Sequence, residues 1–152
     1  MRKVFLVIAS LFVLSVVLQL YFAGVGHFST GGGELFWLHG TNGRIILPIL
    51  AILNIVAAAV ARAGRRTIWL TVIALVLIFL QTVIFILTGT IFNISGPEDV
   101  IPVGASILLG FHALNGLAII VLGSMVARRA FALDRTGRVE TAVPQRATAS
   151  VR

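Results

Sequence analysis

Two histidines, His39 and His112, stand within long apolar stretches and are the residues best suited to chemistry. Each begins the same short pattern, His-x-x-Asn-Gly, at residues 39–43 and 112–116. Neutral imidazole is a good ligand for iron and for other transition metals. Bundles of helices build cofactor sites from side chains on facing helices. The pattern therefore makes haem a candidate cofactor.

Two glutamines, Gln19 and Gln81, lie at a depth similar to that of His112. At about 1.5 Å per residue, all three lie roughly 22–24 Å from the arginines that flank the apolar stretches. Together they could donate hydrogen bonds to a carbonyl oxygen, which makes a quinone the alternative cofactor. His39 lies about 10 Å further out by the same rise, and this difference argues against one iron binding both histidines.

The same side chains also have a structural interpretation. A His or Gln inside a membrane bundle commonly forms a hydrogen bond with a neighbouring helix, and Arg44 would extend to the headgroups. The apolar stretches contain no Asp or Glu, so they offer no carboxylate pair and no Ser-His-Asp triad. We therefore expect a non-enzymatic subunit or assembly partner, with a cofactor-binding redox protein as the alternative.

Composition places the chain in a membrane. Of its 152 residues, 59% are hydrophobic and only 11% are charged, whereas a soluble domain has about 25% charged residues. The absence of cysteine excludes disulfides, thiolate metal sites and thiol redox chemistry. Soluble enzymes and DNA-binding domains are excluded as classes.

Four apolar stretches are long enough to cross a bilayer, which needs about 20 residues each. They predict an all-α protein with four transmembrane helices in an antiparallel bundle over residues 1–128, followed by a disordered basic tail over 129–152. The first stretch is longer than the roughly 7–15 apolar residues of a signal peptide, so it is expected to remain as a helix. The predicted spans are residues 4–25, 35–61, 67–92 and 103–127.

The distribution of basic residues predicts the orientation. With both termini in the cytoplasm, 11 of the 12 Lys and Arg residues lie inside, and only Arg44 lies outside. The basic tail is expected to contact anionic lipid headgroups rather than nucleic acid. A membrane partner or a second copy of the chain is the expected protein contact.

The two halves of the chain resemble each other. Leu18-Gln19 matches Leu80-Gln81, and the two His-x-x-Asn-Gly patterns fall in the second and fourth spans. This agreement indicates a duplicated helical hairpin, with chance as the alternative.

The pattern of basic N-terminus, Leu18-Gln19 and paired His-x-x-Asn-Gly resembles an uncharacterised family of small bacterial four-helix membrane proteins. This resemblance implies the bacterial cytoplasmic membrane and no assigned catalytic residue. The paired histidines are also loosely similar to those of membrane b-type cytochromes. That similarity implies His39 and His112 as axial ligands of haem b iron, with Arg44 beside a propionate.

Overall fold

A computed structural model describes residues 1–29, 34–94 and 100–142, with side chains to Thr136. All regular structure in these ranges is helical. The elements are α1 (Arg2–Phe28), α2 (Phe36–Thr41), a π-helical segment (Asn42–Ile46), α3 (Leu47–Val60), α4 (Arg65–Phe92) and α5 (Val103–Ala142).

Four helical spans are long and apolar enough to cross a membrane: Arg2–Phe28, Phe36–Val60, Arg65–Phe92 and Val103–Thr136. The second span combines α2, the π-helical segment and α3. Helix α1 packs on α3 and α5, and α4 packs on the same two helices. The predicted four-helix bundle is therefore confirmed.

Two apolar clusters fill the interior. The first lies at the end of the bundle where α1 begins, here called the arginine end, and includes Phe5, Ala58 and Ala130, all fully buried. The second lies nearer the opposite end, here called the histidine end, and is centred on Phe12. A Cβ at Gly123 of α5 would lie 3.0 Å from the Phe12 ring, so this glycine makes room for a large aromatic side chain.

At two turns, the residue that ends the span has a left-handed backbone conformation. Arg62 and Asn93 have φ values of 53° and 52°. At each turn the next amide donates back to a helix carbonyl, from Ala63 to Ala58 and from Ile94 to Gly89, both at 2.9 Å. This arrangement satisfies carbonyl groups that a helix end would otherwise leave free.

The π-helical segment interrupts the second span just before Pro48. Proline has no amide hydrogen, so it cannot donate to the carbonyl four residues earlier, and its ring clashes with that carbonyl. The wide turn at Asn42–Ile46 precedes this position and changes the phase of the helix. Asn42, the first residue of this segment, is only 7% exposed, while Arg44 within the segment is exposed.

Helix α5 is longer than the sequence pattern predicts. Its predicted end was Ala127 and the tail from residue 129 was expected to be disordered, but the helix continues to Ala142. The physical reason is packing, since Ala130 is fully buried in the cluster of the arginine end and Asp134 is only 4% exposed. Residues 143–152 of the predicted tail lie outside the described residues.

Candidate functional site

Four polar side chains form one hydrogen-bonded group between α1 and the second span. They are Ser15 and Gln19, one helical turn apart on α1, and His39 and Asn42, three residues apart on α2 and the π-helical segment. We call this group the first-half network.

Gln19 and His39 make reciprocal contacts in this network. His39 Nδ1 donates to the backbone carbonyl of Gln19 at 2.9 Å, and that carbonyl can only accept. The proton of the neutral ring is therefore on Nδ1, and Nε2 accepts from Gln19 Nε2 at 3.1 Å. The second amide hydrogen of Gln19 reaches the backbone carbonyl of His39 at 3.1 Å. Both ring nitrogens are thus engaged.

Asn42 completes the network. Its Nδ2 donates to the carbonyl of Ser15 at 3.0 Å and to Gln19 Oε1 at 2.7 Å. Its Oδ1 accepts from the Ser15 hydroxyl at 2.8 Å. All four amide hydrogens of the two side chains therefore have acceptors. A Cβ at Gly43 would lie 2.7 Å from Gln19 Nε2, so a glycine is needed for this close approach.

The second half of the chain repeats one of these contacts. Asn115 Nδ2 donates to the carbonyl of Leu77 at 2.7 Å, and Leu77 precedes Gln81 by four residues, as Ser15 precedes Gln19. Gly116 faces Gln81 as Gly43 faces Gln19, although at a longer Cβ distance of 3.6 Å to Nε2. This shared geometry is what a duplicated hairpin would retain.

Gln81 and His112, here called the α4–α5 pair, differ from their first-half counterparts. The buried atoms Gln81 Oε1 and His112 Nδ1 have no hydrogen-bond partner among the described residues. In addition, Leu77 replaces Ser15 and brings no hydroxyl. The second half therefore offers two buried polar atoms where the first half has a satisfied network.

The two histidine rings lie close together. Their centroids are 6.1 Å apart, so the predicted 10 Å difference in depth is wrong. The reason is that Arg62 and Arg128, from which the residues were counted, are not at the same level of the bundle. Ala58 and Ala130 share one buried cluster, and they follow His39 and His112 by 19 and 18 residues (58 − 39 and 130 − 112). Gln19, which the sequence groups with Gln81 and His112 as a donor to a quinone carbonyl, forms its side-chain hydrogen bonds with His39 and Asn42.

The residues present do not fit a bis-histidine haem. Both nitrogens of His39 already have hydrogen-bond partners, and His112 contacts the ring of Phe85 edge-on at 4.7 Å. Arg44 is exposed, and nothing places it beside either ring. Among the described residues, no group of three His, Cys, Asp or Glu side chains could hold a metal ion.

Sequence reasoning placed His39 and Gln19 in the site but gave no role to Ser15 or Asn42. The signals were present, because Ser15 lies one turn before Gln19 and Asn42 is the conspicuous residue of the first His-x-x-Asn-Gly pattern. Periodicity places Ser15 with Gln19 and Asn42 with His39, each pair on one face of its helix, but it does not show that these two faces meet.

Comparison with known proteins finds a protein family that matches part of the chain. Residues 19–89 match the Family of unknown function (DUF6220). The matched segment contains Gln19, His39, Asn42 and Gln81, whereas Ser15 and His112 lie outside it. No curated protein and no solved structure matches the chain. The match and the four apolar helices fit the expected resemblance to an uncharacterised helical membrane family.

Proposed function

We propose that this chain is a small non-enzymatic subunit or assembly partner in the bacterial cytoplasmic membrane, with both termini in the cytoplasm. The first-half network supports a structural role for its polar residues, since they bond to one another and to the backbone. The basic residues of the arginine end would then meet the anionic headgroups of the inner leaflet.

The observation that carries the partner role is the length of α5. This helix has 40 residues, whereas α4 has 28. Beyond Arg129 it continues for about 20 Å at the usual helical rise. On its first turn there, Phe131 is 52% exposed and the guanidinium of Arg135 lies 5.6 Å from its ring. Beyond Arg129 one side of α5 still packs on the bundle through Ala130 and Asp134, while its other side presents an exposed aromatic and cationic surface that suits contact with another protein.

Photo-crosslinking in living cells tests this role. A photoreactive amino acid is placed at Phe131 or Thr136, with Leu114, which is 60% exposed in the middle of its span, as the matched control. We expect a discrete protein adduct from Phe131 and from Thr136 that is absent from the Leu114 control. The mass of the adduct distinguishes a second copy from a different subunit. Adducts at none of the positions would contradict the partner role.

The proposed orientation in the membrane is tested separately with reporter fusions. A reporter active only in the cytoplasm should work when fused after Arg152 and should be inactive when inserted within residues 31–33. Activity at the second position would reverse the proposed topology.

A second candidate function, quinone binding, rests on the α4–α5 pair. Its two buried polar atoms are available to a ligand, whereas those of the first-half network are engaged. Extraction of the purified protein with organic solvent, followed by mass spectrometry, should recover a quinone in stoichiometric amount. Recovery of the same amount from the double variant Gln81→Leu/His112→Leu would place any bound quinone elsewhere.

A further inference from the structure

The two halves of the bundle provide an internal comparison. In the first half, Gln19, His39 and Asn42 show how a Gln, a His and an Asn at these positions satisfy their hydrogen-bonding groups within the bundle. The second half has the same residue types and the same Asn-to-carbonyl bond from Asn115 to Leu77. Yet Gln81 Oε1 and His112 Nδ1 have no partner among the described residues.

Of the two atoms, Gln81 Oε1 has the stricter requirement. An amide oxygen can only accept hydrogen bonds, so it must be offered a donor. His112 Nδ1 can donate or accept, depending on the tautomer. A ligand that supplies a hydroxyl hydrogen to Gln81 Oε1 and a hydroxyl oxygen or hydrogen to His112 Nδ1 satisfies both atoms.

We infer that the α4–α5 pair binds the reduced, hydroxyl-bearing form of a membrane quinone in preference to the oxidised form. This inference rests on the second candidate function above. An oxidised quinone presents only carbonyl oxygens, which cannot donate to Gln81 Oε1. A quinol presents hydroxyl groups at both ends of its ring, and a buried acceptor without a donor carries a free-energy penalty that such a hydroxyl relieves.

The route to the pair runs past Phe85. The ring of Phe85 contacts that of His112 edge-on, with centroids 4.7 Å apart, while 51% of the residue is exposed on the outside of the bundle. His112 is itself only half-buried, so its ring lies beside Phe85 near the outside of the bundle. When Phe85 rotates outward, the flat quinol ring takes over its contact with the imidazole and places a hydroxyl beside the pair.

Binding of defined probes to the full chain in quinone-free phosphatidylcholine nanodiscs tests the inference. The probes are a short-chain benzoquinol, kept reduced under argon, and the corresponding benzoquinone, with equilibrium dialysis as the measurement. We expect the quinol to bind at least tenfold more tightly than the quinone. In Gln81→Leu the preference should disappear, because no acceptor remains for the hydroxyl hydrogen.

Matched controls separate this result from general lipid partitioning or misfolding. Thr82→Val, on the adjacent exposed position of α4, should retain the preference of the parent. The thermal unfolding temperature of Gln81→Leu should match that of the parent, since Gln81 Oε1 has no bond to lose. A diacylglycerol probe should bind weakly, because it has a hydroxyl group but no ring to contact His112.

Three outcomes would overturn the inference. Equal affinity for quinol and quinone would leave quinone binding in place but remove the preference for the reduced form. Binding of neither probe would contradict both the inference and the second candidate function. The partner role would be unaffected, because the photo-crosslinking experiment tests it separately. Equal binding by diacylglycerol would show that any hydroxyl-bearing lipid is accepted.

Discussion

Gln19 and His39 connect the first two spans through three hydrogen bonds. One of these involves Nδ1 of the imidazole ring, one involves Nε2, and the third is to the backbone carbonyl of His39. The glutamine offers its backbone carbonyl and its amide hydrogens, and the histidine offers its ring and its own backbone carbonyl. In a membrane no water competes for these groups, so the pair fixes how α1 meets α2. His112 has no such partner for Nδ1 among the described residues.

The first prediction contrasts the two histidines. Replacement His39→Leu removes two ring contacts and leaves a Gln19 amide hydrogen without an acceptor. At roughly 0.6–1.7 kcal/mol for each hydrogen bond in a membrane protein, we expect a loss of about 1–3 kcal/mol. His112→Leu should change the free energy of unfolding much less. Unfolding in mixed detergent micelles measures both, and a larger loss in His112→Leu would contradict the network described here.

A second prediction concerns Gly43, with two other glycines as matched controls. Gly43→Ala places a Cβ at 2.7 Å from Gln19 Nε2, so the glutamine must move and its bonds to His39 weaken. Overpacking of this kind costs about 1–3 kcal/mol. Gly40→Ala, on the same span with no atom within 4 Å of its Cβ, and Gly116→Ala, with an ordinary 3.6 Å contact, should both be tolerated. Thermal unfolding of the three variants side by side is the measurement, and equal behaviour would show that the close approach is unimportant.

The sequence predicts the fold well because lipid imposes simple rules. Backbone groups must be bonded within helices, so long apolar stretches become spans, and small or polar residues turn toward other helices. On α5 the small residues Ala105, Gly116 and Gly123 are buried in this way. The repeat between the halves of the sequence also predicts equivalent contacts in the two hairpins.

The details of the site depend on features that periodicity does not carry. The packing of Ala130 of α5 at the level of Ala58 puts the two histidines side by side, with ring centroids 6.1 Å apart. Helix α1 packs on both α3 and α5, so the adjacency of helices alone does not decide whether Gln19 bonds to His39 or to His112. That choice depends on which faces meet, and counting depth along separate helices could not reveal it.

The third prediction compares two buried asparagines in the second span. Asn54 is 2% exposed, and its Oδ1 has no partner among the described residues. An unpaired buried acceptor is destabilising, so Asn54→Leu should leave stability unchanged or raise it. Asn42→Leu removes three hydrogen bonds and should cost about 2 kcal/mol or more. The measurement is the free energy of unfolding in detergent, and a strong loss in Asn54→Leu would reveal an additional role for that carbonyl.

The last prediction concerns how much of α5 the bundle needs. Ala130 is fully buried in the same cluster as Phe5 and Ala58, and Asp134 is only 4% exposed, so the bundle continues past Arg129. A chain ending at Thr136 keeps these contacts and should unfold at the temperature of the full chain. A chain ending at Arg129 loses them, and the apolar surface then uncovered should lower the free energy of unfolding by about 1 kcal/mol or more. Both chains lack residues 137–152, so a difference between them reports on residues 130–136 alone. Equal stability would show that α5 leaves the bundle at Arg129, where the basic tail was first expected to begin.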